Sequence, residues 1–181
     1  MKFVDLPASI RKIGDYAFAK SFDLEKVTLN DNITHIGQWA FSSTNDHSET
    51  PMKVAITKLP DKLEVLGSSA FCWCGPTITI TTLPKTLKAI YAYTFNGCPN
   101  VVITELGSND GSSSLWYLAD NAFAYAGKNY KANINVNIYK SVEAIGKNAF
   151  DNYLSNNAHF NFYRYVDVSG ETDYYATIKN E

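Results

Sequence analysis

The sequence predicts a solenoid of about six coils, and three observations predict it. An Ala-Phe or Thr-Phe pair recurs along the chain, aliphatic residues stand five and eight positions before each Phe, and short runs of period-two hydrophobicity lie upstream of each set. A unit that recurs in this way cannot bury its apolar side alone. Stacking the units gives one continuous core in which equivalent side chains form ladders.

The Phe residues are Phe18, Phe41, Phe71, Phe95, Phe123 and Phe150, spaced by 23, 30, 24, 28 and 27 residues. Five positions earlier stand Ile13, Ile36, Leu66, Ile90, Leu118 and Ile145, and three positions before those Ile10, Ile33, Leu63, Leu87, Leu115 and Val142. All eighteen positions are aliphatic or Phe, so one template covers every turn. The middle anchor is followed by Gly14, Gly37, Gly67 and Gly146, which points to close backbone passage or a positive φ, while Tyr91 and Ala119 depart from the rule.

Upstream, Val27 and Leu29, Val54 and Ile56, Ile78 and Ile80, Val101 and Ile103, and Ile134, Val136 and Ile138 alternate with other residues. Period two means strands with one buried face. Seven residues before the middle anchor stand Leu6, Leu29, Leu59, Leu83 and Ile138, and Pro7, Pro60 and Pro84 follow three of them and mark a bend, because proline donates no ladder hydrogen bond. One coil therefore reads as a short strand, a bend, and a compact segment carrying the Ile-Gly and Ala-Phe anchors. The sheet is short and parallel on one face, with irregular or short helical segments on the other. Polar insertions at 42–51, 107–114 and around 127–133 belong on the rim.

The segments LPASIRKIGDYAF, LPDKLEVLGSSAF, LPKTLKAIYAYTF and IYKSVEAIGKNAF resemble the BspA-like leucine-rich repeats of bacterial and protist surface proteins. The resemblance spans about Leu6 to Tyr153 and implies a leucine-rich-repeat solenoid. In that family a Cys commonly stands three positions after the Phe. Cys74 and Cys98 match it, with Ser21, Thr44, Ala126 and Tyr153 in the other turns. The resemblance further implies an extracellular or cell-surface setting and roles in adhesion or in binding host or microbial surfaces. It carries over no catalytic residue.

Two segments are expected, a solenoid at 1–153 and a terminal strand and cap, or the start of a following segment, at 154–181. Phe160, Phe162, Tyr163, Tyr165, Val166 and Val168 give the second its strand character. The opening MKFVDLPASI reads as the middle of a repeat, so the start is read as a cut within a longer array. No apolar run reaches the ~18 residues of a membrane-spanning helix, and no membrane insertion by this chain is expected.

With a net charge of −2 and scattered lysines, there is no basic excess to neutralise phosphates, which argues against nucleic acid. Three cysteines, Cys72, Cys74 and Cys98, form no paired CxxC knuckles, and the acidic residues form no calcium loop, so no metal or cofactor is expected. His35, His47 and His159 fall in different parts of the repeat with no carboxylate or Cys at ligand spacing. An enzyme would need a pocket of converging polar groups that shallow solenoid faces rarely provide.

Thr77, Thr79 and Thr81 alternate with Ile78 and Ile80 and should leave the core side together, with Thr57 and Thr104 in adjacent turns. These five threonines are the candidate binding face, suited to a glycan or a peptide edge. The competing reading is ordinary exposed strand, where Thr is common. Trp39, Trp73 and Trp116 lie near the anchors and are expected to pack between coils; an exposed one would mark a contact surface. The sequence thus reads as a non-enzymatic binding module for a protein or glycan, with a structural spacer as the alternative.

Overall fold

A computed structural model describes residues 2–43, 52–164 and 174–178. The chain winds as a β-solenoid of about six turns whose ordered backbone lies on three faces. The first face carries β1 (Phe3–Asp5), β3 (Lys26–Thr28), β7 (Glu105–Leu106), β9 (Ile134–Ile138) and β11 (Ala158–Arg164), with bridges Lys26 to Ala55 and Ile56 to Ile78 marking the intervening turns. The pairs β1–β3, β7–β9 and β9–β11 are parallel, and β12 (Tyr174–Ile178) pairs antiparallel with β11.

The second face carries β2 (Lys12–Ile13), β4 (His35–Ile36), β5 (Val65–Leu66), β6 (Ala89–Ile90), β8 (Tyr117–Leu118) and β10 (Ala144–Ile145). These form two parallel ladders, β2-β4-β5 and β6-β8-β10, which meet where Lys88 N donates to Glu64 O at 3.3 Å. The anchor Ile or Leu is the second residue of each strand, as the repeat template requires. Between the two faces the prolines close turns: Ile10, Leu63 and Leu87 N donate to Pro7, Pro60 and Pro84 O at 3.0–3.1 Å.

The third face is the Ala-Phe segment. Helix was one expectation for it, and the structure shows turns of alternating hand instead. Residues two before and two after five of the six Phe take left-handed backbone: Tyr16 and Lys20 around Phe18, Ser69 and Trp73 around Phe71, Tyr93 and Gly97 around Phe95, Asn121 and Tyr125 around Phe123, Asn148 and Asn152 around Phe150; before Phe41, Trp39 does so. Most are not glycine, and each such residue costs about 1–2 kcal/mol. The alternation turns the N–H groups of every second residue toward the next coil. Phe18 N donates to Ala40 O at 2.8 Å, flanked by Tyr16 N to Gln38 O and Lys20 N to Ser42 O. The same three bonds recur at all five steps between successive Phe segments, at 2.7–3.4 Å. This regular third ladder offsets the strained backbone.

Inside, the Phe rings stack in one column with centroids 5.1–5.7 Å apart from Phe18 through Phe150. The anchors are buried except at the ends, where Ile10, Phe18 and Phe150 are half-buried and Ile145 is 40% exposed. The glycines after the anchors meet close backbone rather than positive φ. A Cβ on Gly37 would lie 2.6 Å from Gly14 C, and one on Gly67 would lie 2.6 Å from Gln38 N, whereas Gly14, in the first coil, has open space. Tyr91, which breaks the glycine rule, stands just beyond the break between β5 and β6.

Candidate functional site

The outer side of the first sheet is set by strand alternation: Val27, Ile56, Ile78, Val136 and Phe160 point into the core, so their neighbours point out. The Ile56–Ile78 bridge puts Thr57, exposed, beside Thr79, half-buried. Thr77 and Thr81 are exposed, and the Thr77 hydroxyl donates to Val54 O at 2.7 Å. Thr104 is half-buried. Its carbonyl accepts from Asn137 N at 2.7 Å, and the next residue, Glu105, is exposed and lies opposite Asn137. Thr57, Thr77, Thr79 and Thr81 therefore lie together on neighbouring turns, and Thr104 lies beside Glu105 on the next.

Next to them lies a polar and aromatic cluster that the sequence reading missed. The parallel register of β7, β9 and β11 lines up Glu105, Asn137 and Asn161 across three strands. Asn137 Nδ2 donates to Glu105 Oε1 at 2.8 Å, and Asn161 Nδ2 donates to Asn137 Oδ1 at 3.0 Å. Tyr139 Oη donates to Glu105 Oε2 at 2.6 Å, and its ring stacks on Tyr163 with centroids 5.1 Å apart and 18° between planes. The bond to the carboxylate, with partial burial, pushes the Tyr139 phenol up to about 12.

Each member of this cluster restrains another. Two donors fix the Glu105 carboxylate, that carboxylate and Asn161 fix the amide of Asn137, and stacking fixes the Tyr139 ring. The result is a preorganised surface with a carboxylate, two amides and a pair of parallel rings, and such groups bind with little loss of side-chain freedom. The signal in the sequence was the alternation of Asn135, Asn137 and Tyr139 in INVNIY, matched by His159, Asn161 and Tyr163 in HFNFY.

A second aromatic surface lies on the outer side of the β6-β8-β10 ladder. Trp116, 48% exposed, stacks on Tyr117 at 5.3 Å, and Tyr117 lies opposite Ala89, which is covered to 3% exposure. Tyr91 is exposed nearby in sequence. The other two tryptophans pack between coils: Trp39 stacks parallel to Tyr16, and the Trp73 ring occupies the space beside Gly97. His35 Nδ1 shares a 2.7 Å hydrogen bond with the Thr34 hydroxyl, and His159 is exposed. His47 and the insertion at 44–51 lie outside the described residues, as do Tyr165, Val166 and Val168.

Cys72, Cys74 and Cys98 are buried thiols. Cys98 Sγ donates to Phe71 O at 2.8 Å, as expected for a ladder residue of adjacent coils. Among the described residues, no group of three or more His, Cys, Asp or Glu is placed to hold a metal ion. No described helix is long and apolar enough to cross a membrane.

Comparison with solved structures finds a leucine-rich repeat protein from Bacteroides ovatus, 21% identical, with a TM-score of 0.40; the match covers 80% of this chain and 45% of that one. The chain thus spans under half the length of that protein. A comparison with curated proteins found no match. The model of the BspA type leucine rich repeat region matches six copies over residues 1–57 and 50–172. Repeats of that type have binding or structural roles and are generally non-enzymatic. With its six-fold template, its stacked Phe column and its parallel ladders, the chain belongs to the BspA-type leucine-rich-repeat family.

Proposed function

We propose that this chain is a non-enzymatic, surface-exposed binding module that engages a glycan through the outer side of its first sheet, in an adhesive role. The observation that carries this reading is the hydrogen-bonded set Glu105, Asn137, Asn161 and Tyr139, with Tyr163 stacked beside it. Sugars present hydroxyls in fixed directions and apolar C–H faces. Amides and a carboxylate match the first, and tyrosine rings match the second. The adjoining Thr57, Thr77, Thr79 and Thr81 extend the same surface toward the first coils with further hydroxyls. The family's usual surface setting supports an extracellular or cell-surface location.

The test is binding of the purified chain to a glycan array and to extracellular matrix proteins at physiological salt, with Glu105→Gln, Tyr139→Ala and Thr79→Lys as variants. Glycan binding that falls at least tenfold in Glu105→Gln and Tyr139→Ala supports the reading. Retention by a matrix protein with no glycan signal would replace the ligand class. Binding to neither would overturn the glycan reading and favour the structural spacer.

A further inference from the structure

The last described turn ends in a notch of about 670 Å³, floored by Ile145 and Phe150 and walled by Phe160 and Phe162 of β11. Strand β11 overhangs because it continues the first face by one turn beyond the last Phe segment. Phe150 is therefore covered on one side by Phe123, at 5.5 Å, and tilts against Phe160, at 4.7 Å, and among the described residues no further ring continues the column.

The backbone at the notch has a defined polarity. In each preceding turn the N–H groups two before the Phe, at the Phe and two after it donate to the following turn. Here those groups are Asn148, Phe150 and Asn152 N, and among the described residues none has an acceptor. Asn148 and Asn152 keep the left-handed φ of 56° and 49° that aims such groups at a following coil. The anchor carbonyls show the opposite sense. Ile13, Ile36, Ile90 and Leu118 O each accept from the next turn at 2.7–2.9 Å, and Ile145 O has no described donor.

We infer that this notch is a peptide-acceptor site. Its occupant is an extended polypeptide segment of the form aliphatic–Gly–x–x–Ala–Phe, supplied by another chain. The segment would donate one N–H to Ile145 O, accept from Asn148, Phe150 and Asn152, and set its Phe ring on Phe150. The warrant is continuity with an interface the molecule already makes: the three N–H bonds of the Phe segment and the ring contact join successive turns five times within this chain, and the anchor-carbonyl bond joins them four times. An entire second copy does not fit, because its β1 would fall in the position that β11 occupies. A single segment without a first-face strand does. The mode is addition of a strand to an exposed edge, with an aromatic side chain supplying specificity.

The site is separate from the proposed glycan surface, and its test is independent of it. A fluorescein-labelled peptide of residues 10–20 (IRKIGDYAFAK) is titrated with the full chain, and anisotropy is read. Saturable binding is expected, weakened at least tenfold by Phe18→Ala in the peptide and by Ile145→Glu in the chain, but not by Tyr139→Ala. Ile145 is exposed, so Ile145→Glu should melt within a few degrees of the parent chain, which circular dichroism checks. No saturable binding, or binding indifferent to Ile145→Glu, overturns the assignment.

Discussion

Tyr153 Oη accepts a hydrogen bond from Ile103 N and donates one to Ile103 O, both at 2.7 Å, across 50 residues of sequence. Tyr153 stands three positions after Phe150, where earlier turns carry Ser21, Cys74, Cys98 and Ala126. A small residue there would leave both polar groups of Ile103 buried without a partner. The phenol reaches across the interior and satisfies them, and its ring packs against Phe123 and Phe150.

Tyr153→Phe keeps that ring and removes the hydroxyl, so it isolates the cost of the two hydrogen bonds. Leaving buried Ile103 N–H and C=O unpaired should destabilise the chain by about 2–4 kcal/mol, read as a lowered denaturation midpoint. Burial also raises the Tyr153 phenol above its ordinary value of 10, and the bond to Glu105 raises Tyr139 to about 12. Both pKa values are higher folded than unfolded, so the unfolded chain loses these protons first. The stability they contribute is complete below pH 10 and declines as pH rises above it. A denaturation series at pH 9, 10 and 11 should show that decline, less steeply in Tyr153→Phe. An unchanged midpoint in the variant would mean that water satisfies Ile103 equally well.

Phe71 is fully buried between Phe41, at 5.3 Å, and Phe95, at 5.7 Å. Phe71→Ala empties the middle of the column and should cost about 3–5 kcal/mol. Phe18 occupies the same template position but is half-buried, with a stacked neighbour on one side only. Phe18→Ala should cost only about 1–2 kcal/mol. Equal costs at the two positions would show that turns at the end and the middle melt as one unit.

The same contrast explains which parts of the molecule were legible in the sequence. The anchors were legible because burial repeats with the template, and it relaxes only at Ile10, Phe18, Ile145 and Phe150, where neighbouring turns are absent on one side among the described residues. The Glu105 cluster was not, because it depends on pairing Glu105 with Asn137 across a polar insertion whose length says nothing about register. One position separates Thr104, half-buried, from Glu105, which is exposed and pairs with Asn137. The alternating backbone of the third face was hidden for another reason. Tyr16, Trp39, Ser69 and Tyr93 take left-handed backbone without being glycine, and only Gly97, Asn121, Asn148 and Asn152 hint at it by residue type.

Glycine in the turns offers a sharper test of coil spacing. A Cβ on Gly37 would collide with Asp15 and with the backbone at Gly14, while one on Gly14 meets nothing within 4 Å. Neither residue has positive φ, so the two substitutions differ in space rather than in backbone strain. Gly37→Ala should destabilise by about 1–3 kcal/mol. Gly14→Ala should be neutral or stabilise by up to ~1 kcal/mol, because it restricts the unfolded chain. Thermal melts of the two variants side by side decide the point, and a Gly37→Ala chain as stable as its parent would mean that the coils separate more easily than this packing allows.

The buried thiols report whether the coils open at all. Burial, then the charge of Cys98, pushes the Cys72 thiol up to about 12, and burial, then its hydrogen bond with Cys74, raises Cys98. A thiol attacks as its thiolate, so these groups are doubly protected, by a small thiolate fraction and by lack of access. At pH 8 the native chain should react with a disulfide reagent such as Ellman's at least about 100-fold more slowly than the chain in urea. Phe71→Ala, which loosens the turn carrying Cys72 and Cys74, should speed the reaction toward the unfolded rate. Rapid modification of the parent chain would contradict the closed core, since Phe71 O could then hold Cys98 Sγ for only part of the time.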